Sequence, residues 1–477
     1  MRRQTLEGAR WTATASIINV AVGIVQLTVL ARLLQPDDFG LMAIVLIATG
    51  FAQTFADAGV SSAIIHRQDA TRAQLSTLYW MTLVNGVVMF AALQAVTPAL
   101  QWFFDEPRLA GPLRLTSVVF LVIPLGQQFE VLLQRELRFR RLALFETGSA
   151  AAGMVVAVVC AALGLGVFSL VWGQLTAATV RSALLFATGV RTWRPEPVFR
   201  LRDVREHLQF GLYQMGDRAV NFFNQRVDQL LIGSLAGASA LGYYTVAYNL
   251  VMQPITRINP ILTRVAFPVF ARVQHDVDRV RRGFMLVRSV LATFNAPLVF
   301  GFAAVAPLVV PGVLGSRWGP SVPLIQILAT VAVLRSVGNP IGSVLLALGR
   351  ADRAFHWNLC LFVSQTIGVY LGAAVAGAIG VATAVLTLQI LYFGAGYAYL
   401  ARPLLGPCLR EYLGSVVPPI SIAAVMAVVV ASIPLALRTG WISVAAVQVG
   451  TGLCVYLGLT ALLSRRRLQE LVGLVRR

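Results

Sequence analysis

Apolar runs of about twenty residues, parted by short polar turns, follow one another along almost the whole chain, and a helix of that length crosses a bilayer. Fourteen are read, near residues 11–34, 39–65, 75–98, 113–133, 142–164, 167–189, 207–235, 241–268, 284–313, 321–348, 355–376, 378–401, 413–437 and 441–463. They are rich in Ala, Leu and Gly and lack the period-two alternation of short barrel strands. The pattern predicts an all-α polytopic membrane protein.

Polar positions inside these runs are ordered. The adjacent segments Leu208 to Leu235 and Leu241 to Phe270 carry Asp217, Arg218, Arg226, Asp228, Arg257 and Arg264 in their interiors. One Arg or Asp at mid-span costs about 2.5–3.5 kcal/mol by insertion scales, so the six together would exceed about 10 kcal/mol if they faced lipid. At 100° per residue, Gln214, Asp217, Arg218, Asn221, Asn224, Gln225 and Asp228 share roughly one third of the first helix's circumference. Asn249, Gln253, Thr256, Arg257, Pro260 and Arg264 do the same on the next, and only Arg226 points away. Two such faces, mostly cationic in their middle, describe the wall of an internal cavity suited to an anionic solute.

The first spans repeat the theme more weakly. Thr12, Ser16, Asn19, Gly23 and Gln26 follow the spacing of one helix face, and Gln53, Asp57 and Ser61 lie in the next span. Leu33 and Phe39–Gly40 match Leu235 and Leu241–Gly242 at an offset of 202, which superposes Asn19 on Asn221 and Gln26 on Asp228. Further on, residues 163–168 lie over 377–382 at an offset of 214. The spans then divide as six and six in the same membrane orientation, giving lobes at 1–200 and 201–401, with an appended pair and basic tail at 402–477. Prolines crowd the second half: Pro254, Pro260 and Pro268, then Pro297, Pro307 and Pro311, then Pro340 after Asn339. Such breaks are tolerated where helices bend around a cavity or hinge.

Composition agrees. Of 477 residues 57% are hydrophobic and 12% charged, with mean hydropathy +0.74, outside the range of a soluble enzyme of this length. The net charge of +19 would point to nucleic acid in a soluble protein, but the positions of the cations exclude that reading. All 39 are Arg; with the chain start placed inside, 27 fall in inner segments, eight in spans, and only Arg108, Arg114, Arg317 and Arg438 outside. That bias predicts both termini, and the 191–206 loop, on the cytoplasmic side. The first span is expected to remain as an anchor, being too long for a signal-peptide core. The four cysteines and four histidines imply neither disulfide nor metal site. No loop is long enough to fold as a domain, so function is expected within the bundle.

Several short segments carry a family likeness: Leu-Ala-Arg-Leu-Leu-Gln-Pro-Asp-Asp-Phe-Gly (30–40), Gln-Arg-Glu-Leu-Arg-Phe (134–139), Trp-Arg-Pro (193–195), Asp-Gln-Leu-Leu-Ile-Gly (228–233), Leu-Gly-Tyr-Tyr (241–244) and Phe-Pro-Val-Phe (267–270). As an ordered set over about the first 400 residues they resemble the Wzx-type polysaccharide transporters of the multidrug/oligosaccharidyl-lipid/polysaccharide exporter superfamily, nearest to exporters of colanic-acid or succinoglycan-like repeats. The resemblance implies two six-helix lobes around a central cavity. It also implies an antiporter-like flippase, not an enzyme, that moves undecaprenyl-pyrophosphate-linked oligosaccharide across the bacterial cytoplasmic membrane for exopolysaccharide or lipopolysaccharide assembly. Polysaccharide polymerase and chain-length proteins are the expected partners besides lipid, and no nucleic acid.

The residues fit that substrate. Arg pairs with phosphate oxygens through planar donors, which assigns Arg218, Arg257, Arg264 and the mid-span Arg335 to a pyrophosphate head. Asn19, Gln26, Gln53, Asn221, Asn224, Gln225, Asn249 and Gln253 offer hydrogen bonds to sugars. Asp57 and Asp228, with Asp217 beside Arg218, are candidates for coupling to a proton or sodium gradient; no other cofactor is expected. The bland alternatives are an Asp217 ion pair for Arg218 and Arg257, helix-to-helix bonds for the aspartates and Arg226, snorkelling for Arg32, Arg181, Arg264 and Arg288, and solvation for Glu130. Two other functions compete. A multidrug exporter of the same superfamily would favour a more acidic cavity, and a polysaccharide polymerase or ligase a sizeable outer loop.

Overall fold

A computed structural model describes residues 2–56, 71–199, 205–433 and 440–463. Its described residues are helices and connections: α1 (Arg2–Leu33), α2 (Pro36–Ala56), α3 (Arg72–Phe104), α4 (Ala110–Ser117), α5 (Val119–Arg135), α6 (Phe139–Ala162), α7 (Val167–Gly189), α8 (Arg205–Arg272), α9 (Val277–Leu314), α10 (Ser321–Gly338), α11 (Pro340–Ala347), α12 (Ala351–Gly396), α13 (Leu409–Gly414), α14 (Val417–Ala431) and α15 (Trp441–Leu463), with a few single turns between them. Twelve stretches among the described residues are long and apolar enough to span a membrane. Two of these, Asn221–Pro260 and Asp352–Leu405, are broken inside, at Gly237 (φ 83°) and at Gly377 (φ 54°). Split there, they become the fourteen crossings expected, and the chain is a multi-pass, all-α membrane protein.

The breaks follow from residue chemistry. Positive φ favours Gly, which has no Cβ to clash, and Gly166 ahead of α7 adopts φ 54°, ψ −133°, nearly the same backbone as Gly377 (φ 54°, ψ −134°). Those two glycines therefore set the later repeat offset at 211 (377 − 166), a correction of three residues to the 214 read from side-chain identities. Elsewhere Thr71 opens α3 with a reciprocal cap, its hydroxyl accepting from the Gln74 backbone while the Gln74 side chain accepts from Thr71 N–H.

Packing forms two compact units, Met1–Gly242 and Tyr243–Arg477. The lobe boundary drawn at residue 200 is a division by repeat, and the division by packing comes later. The seventh crossing, up to the bend of α8, packs with the first unit: Phe222 and Phe223 meet the Phe51 ring at centroid distances of 6.1 and 4.7 Å. At that bend Gly40 lies against the Ala238 carbonyl and Gly242 against the Pro36 carbonyl, so closely that a Cβ on either glycine would collide with backbone. The two contacts are reciprocal, because 238 and 242 are 36 and 40 shifted by the repeat offset of 202. Ser239 donates to Asp37, its own repeat equivalent.

In the first unit Leu30 and Leu34 pack on Ala157 and Ala161, while Tyr79, Phe129, Leu133 and Leu185 join α3, α5 and α7. The segment after α7 is tied back to α3, with Trp80 Nε1 donating to the Glu196 carbonyl and Glu196 N–H to Ser76. In the second unit a cluster of Phe270, Val280, Phe284, Val344, Leu405 and Tyr412 joins the end of α8 to α9, α11 and α13.

Candidate functional site

The first unit holds the polar stripe of α1 and the beginning of α8. Asn19, Gln26 and Gln53 are half-buried, and Asn19 Oδ1 and Asn224 Oδ1 are buried without a hydrogen-bond partner. Asn221 and Gln225 are exposed and bonded to each other (3.1 Å), so their amides are partly spent along the helix. Arg226 Nη1 donates to Gln229 Oε1 at 2.7 Å on its own helix, not to a neighbouring one as expected. Asp228 is 1% exposed, its Oδ1 accepting the Gln229 N–H at 2.8 Å. It lies within packed protein rather than on an open wall. Asp57 and the side chains of Asp217, Arg218 and Arg264 lie outside the described residues.

In the second unit α8 continues with Asn249 half-buried and Gln253, Thr256 and Arg257 exposed. Arg335, half-buried on α10, reaches the Tyr248 hydroxyl at 3.4 Å, which brings it beside α8. Beneath lies a neutral polar cluster: Asn295 Nδ2 donates to Asn259 Oδ1 (2.9 Å) and Ser336 Oγ (2.6 Å), and Asn259 Nδ2 reaches the Ser336 carbonyl (3.5 Å). Pro340, four residues on, has no N–H to give that carbonyl. Of the arginines assigned to an anionic head, Arg257 and Arg335 are therefore on adjoining helices of one unit.

Arg288 was expected to snorkel and does not. It is 0% exposed, donating to the carbonyls of Val337 (3.1 Å) and Tyr412 (3.2 Å) with its guanidinium 3.5 Å from the Tyr412 ring centroid. Both carbonyls lie near the C-terminal ends of α10 and α13, where the helix dipole is negative. The charge is held by helix ends and an aromatic face, while Nη2 is buried with no hydrogen-bond partner.

Arg181 and Glu130, with side chains 40% and 25% exposed, form an ion pair of 2.8 Å that the sequence reading did not assign, and they line a cavity of about 590 Å³ within the first unit, between α5, α6 and α7. Gln127, Gln134, Glu146, Ser149, Gln174 and Ser182 line it too, and Gln174 Oε1 is buried with no partner. Sequence spacing carried a signal for this site: Gln127, Glu130 and Gln134 share one face of α5, and Gln174 and Arg181 one face of α7.

Residues 29–323, more than half of the chain, match the family described as polysaccharide biosynthesis protein. The chain belongs to that family. Among its relatives, the lipopolysaccharide biosynthesis protein WzxC of Escherichia coli is 35% identical over 87% of this chain and 84% of its own length. The succinoglycan biosynthesis transport protein ExoT of Rhizobium meliloti is 28% identical over 76% and 73%. Among solved structures, the lipid II flippase MurJ in an inward closed conformation superposes with a TM-score of 0.77 at 13% identity, covering 95% of this chain and 98% of that one. This family member thus has the MurJ-type helical fold.

Proposed function

We propose that this member of the polysaccharide biosynthesis protein family is a flippase, a transporter and not an enzyme, that carries an undecaprenyl-pyrophosphate-linked oligosaccharide across the bacterial cytoplasmic membrane. The observation that carries the reading is cationic: Arg257, exposed, and Arg335, half-buried with its guanidinium at the Tyr248 hydroxyl, stand on adjoining helices within spans, in a chain of this family and fold. A pyrophosphate supplies concentrated charge and oxygens that match the planar donors of a guanidinium. The Arg partition supports a cytoplasmic location for both termini. The released repeat units pass to polymerase and chain-length proteins.

Transport uphill needs a ligand that binds the two states of the transporter differently. Asp57, Asp217 and Asp228 are assigned to that role with a proton or sodium ion. Of the three, Asp228 is the one whose side chain the structure describes, 1% exposed within the first unit with Oδ1 accepting the Gln229 N–H.

The test is polysaccharide export in a strain lacking its own flippase, with the protein level in the membrane checked. Arg257→Ala with Arg335→Ala should nearly abolish export, while the two Lys variants, which keep charge but lose the planar fork, impair it partly. Wild-type export from both Ala variants together would assign these arginines to structure. In vesicles, transport should follow a proton or sodium gradient and Asp228→Asn should blunt that response; indifference to both gradients would reject the coupling. A cysteine at Arg317 should be labelled from outside intact cells and one at Arg194 should not, and the reverse result would invert the topology.

A further inference from the structure

We infer that the cavity between α5, α6 and α7 is a saccharide subsite: it receives sugar residues of the lipid-linked substrate, apart from the arginines that meet its phosphates. The inference rests on the flippase reading above and adds a second place of contact to it.

The lining chemistry decides the ligand class. Gln127, Gln134 and Gln174 bring amides to the wall, Gln134 Nε2 reaching Glu130 Oε1 at 3.4 Å, Glu146 and Glu130 bring carboxylate acceptors, and Arg181 brings planar donors beyond those used on Glu130. Neighbouring hydroxyls on a sugar ring present donors and acceptors in pairs, which these planar groups match. Gln174 Oε1 is buried at the wall with no partner, an acceptor that a hydroxyl would satisfy and that is costly to leave unmet in a membrane interior.

Size and charge exclude the rival ligands. A volume of about 590 Å³ lies within the usual range of about 300–1,000 Å³ for small-molecule sites and is far too roomy to coordinate a dehydrated cation. Among the described residues there is no group of three or more His, Cys, Asp or Glu that could hold a metal. An anionic head is disfavoured, since Glu130 neutralises Arg181 and Glu146 adds a negative charge. An aromatic drug is disfavoured too, as the described lining has no ring to stack on. Binding through hydrogen bonds alone is modest, as suits a carrier that must release its cargo.

Glu130 lies about one and a half turns from the end of α5 at Arg135 and Arg181 about two turns from the end of α7 at Gly189, the side that the Arg partition predicts to be cytoplasmic. A subsite there meets the glycan where it is loaded.

The experiment compares two probes on purified full-length protein in lipid nanodiscs: undecaprenyl pyrophosphate carrying the oligosaccharide extracted from the producing strain, and undecaprenyl pyrophosphate alone. Wild type should bind the glycosylated lipid at least about tenfold more tightly. Gln174→Leu, which keeps the volume, and Glu146→Gln should each remove most of that difference while leaving affinity for the bare lipid unchanged. Gln134→Ala, nearer the end of α5, serves as a third variant should Gln174→Leu fold poorly. Equal affinity of wild type for the two lipids, or an equal loss for both in the variants, overturns the subsite. Failure of the flippase reading looks different: wild type then binds neither lipid, whereas failure of the subsite leaves both bound and the Arg257 and Arg335 variants weakened toward both.

Discussion

Removing the Tyr456 hydroxyl tests how the appended helices are joined to the rest of the second unit. Pro297 lies inside α9 and has no N–H, so the carbonyl of Thr293, four residues back, loses its intrahelical donor. Tyr456 on α15 supplies one, its hydroxyl donating to that carbonyl at 2.7 Å. In Tyr456→Phe the part-buried carbonyl has neither partner, which costs about 1–3 kcal/mol. For a cooperative unit of this size a loss of that kind lowers the apparent Tm by roughly 2–4 °C per kcal/mol. In a Pro297→Ala background the alanine N–H can return to Thr293, so the same Tyr456→Phe change should cost about 1 kcal/mol less. The measurement is a double-mutant cycle from thermal melts of purified protein in one detergent, where the coupling isolates the pair from each variant's own effect. An equal cost of Tyr456→Phe in both backgrounds would refute the argument that proline creates the site for the tyrosine.

Two further outcomes follow from the geometry. Gly40→Val should sharply reduce folded protein in the membrane, because its Cβ meets the Ala238 backbone, which has no rotamer to yield; Gly23→Ala, with nothing within 4 Å of its Cβ, should be silent by the same fluorescence-detected chromatography. The Arg108 side chain, hydrogen-bonded to Glu106 at 2.9 Å, holds that carboxyl below its ordinary value, so its contribution to stability is present above the usual Glu range and lost as pH falls through the lowered value. Melts from pH 6 down to about pH 3 should show a smaller acid loss in Glu106→Gln than in wild type, and identical profiles would remove the pair from the stability of that loop.

The crossings, their breaks and the need to compensate mid-span charge were all legible along one dimension. An apolar run of span length, a glycine at positive φ and a proline inside a helix each act through nearest neighbours in sequence, so Gly237, Gly377 and Pro297 punctuate the chain wherever its helices pack. The sequence also required every buried cation to find compensation, because the cost of a bare charge in lipid does not depend on the fold. What it left open was the partner. Arg288 met two helix ends and a tyrosine ring, Arg181 met Glu130, and Arg226 met Gln229 on its own helix, three answers to one requirement. Which of them applies depends on the rotation of each helix about its axis and on which neighbour faces it. Those are set by packing between residues far apart in the chain, as Gly40 on Ala238 and Gly242 on Pro36 show. The same reason hid the cavity between α5, α6 and α7: each helix carries only part of its polar wall, and only tertiary structure turns the three parts toward one another.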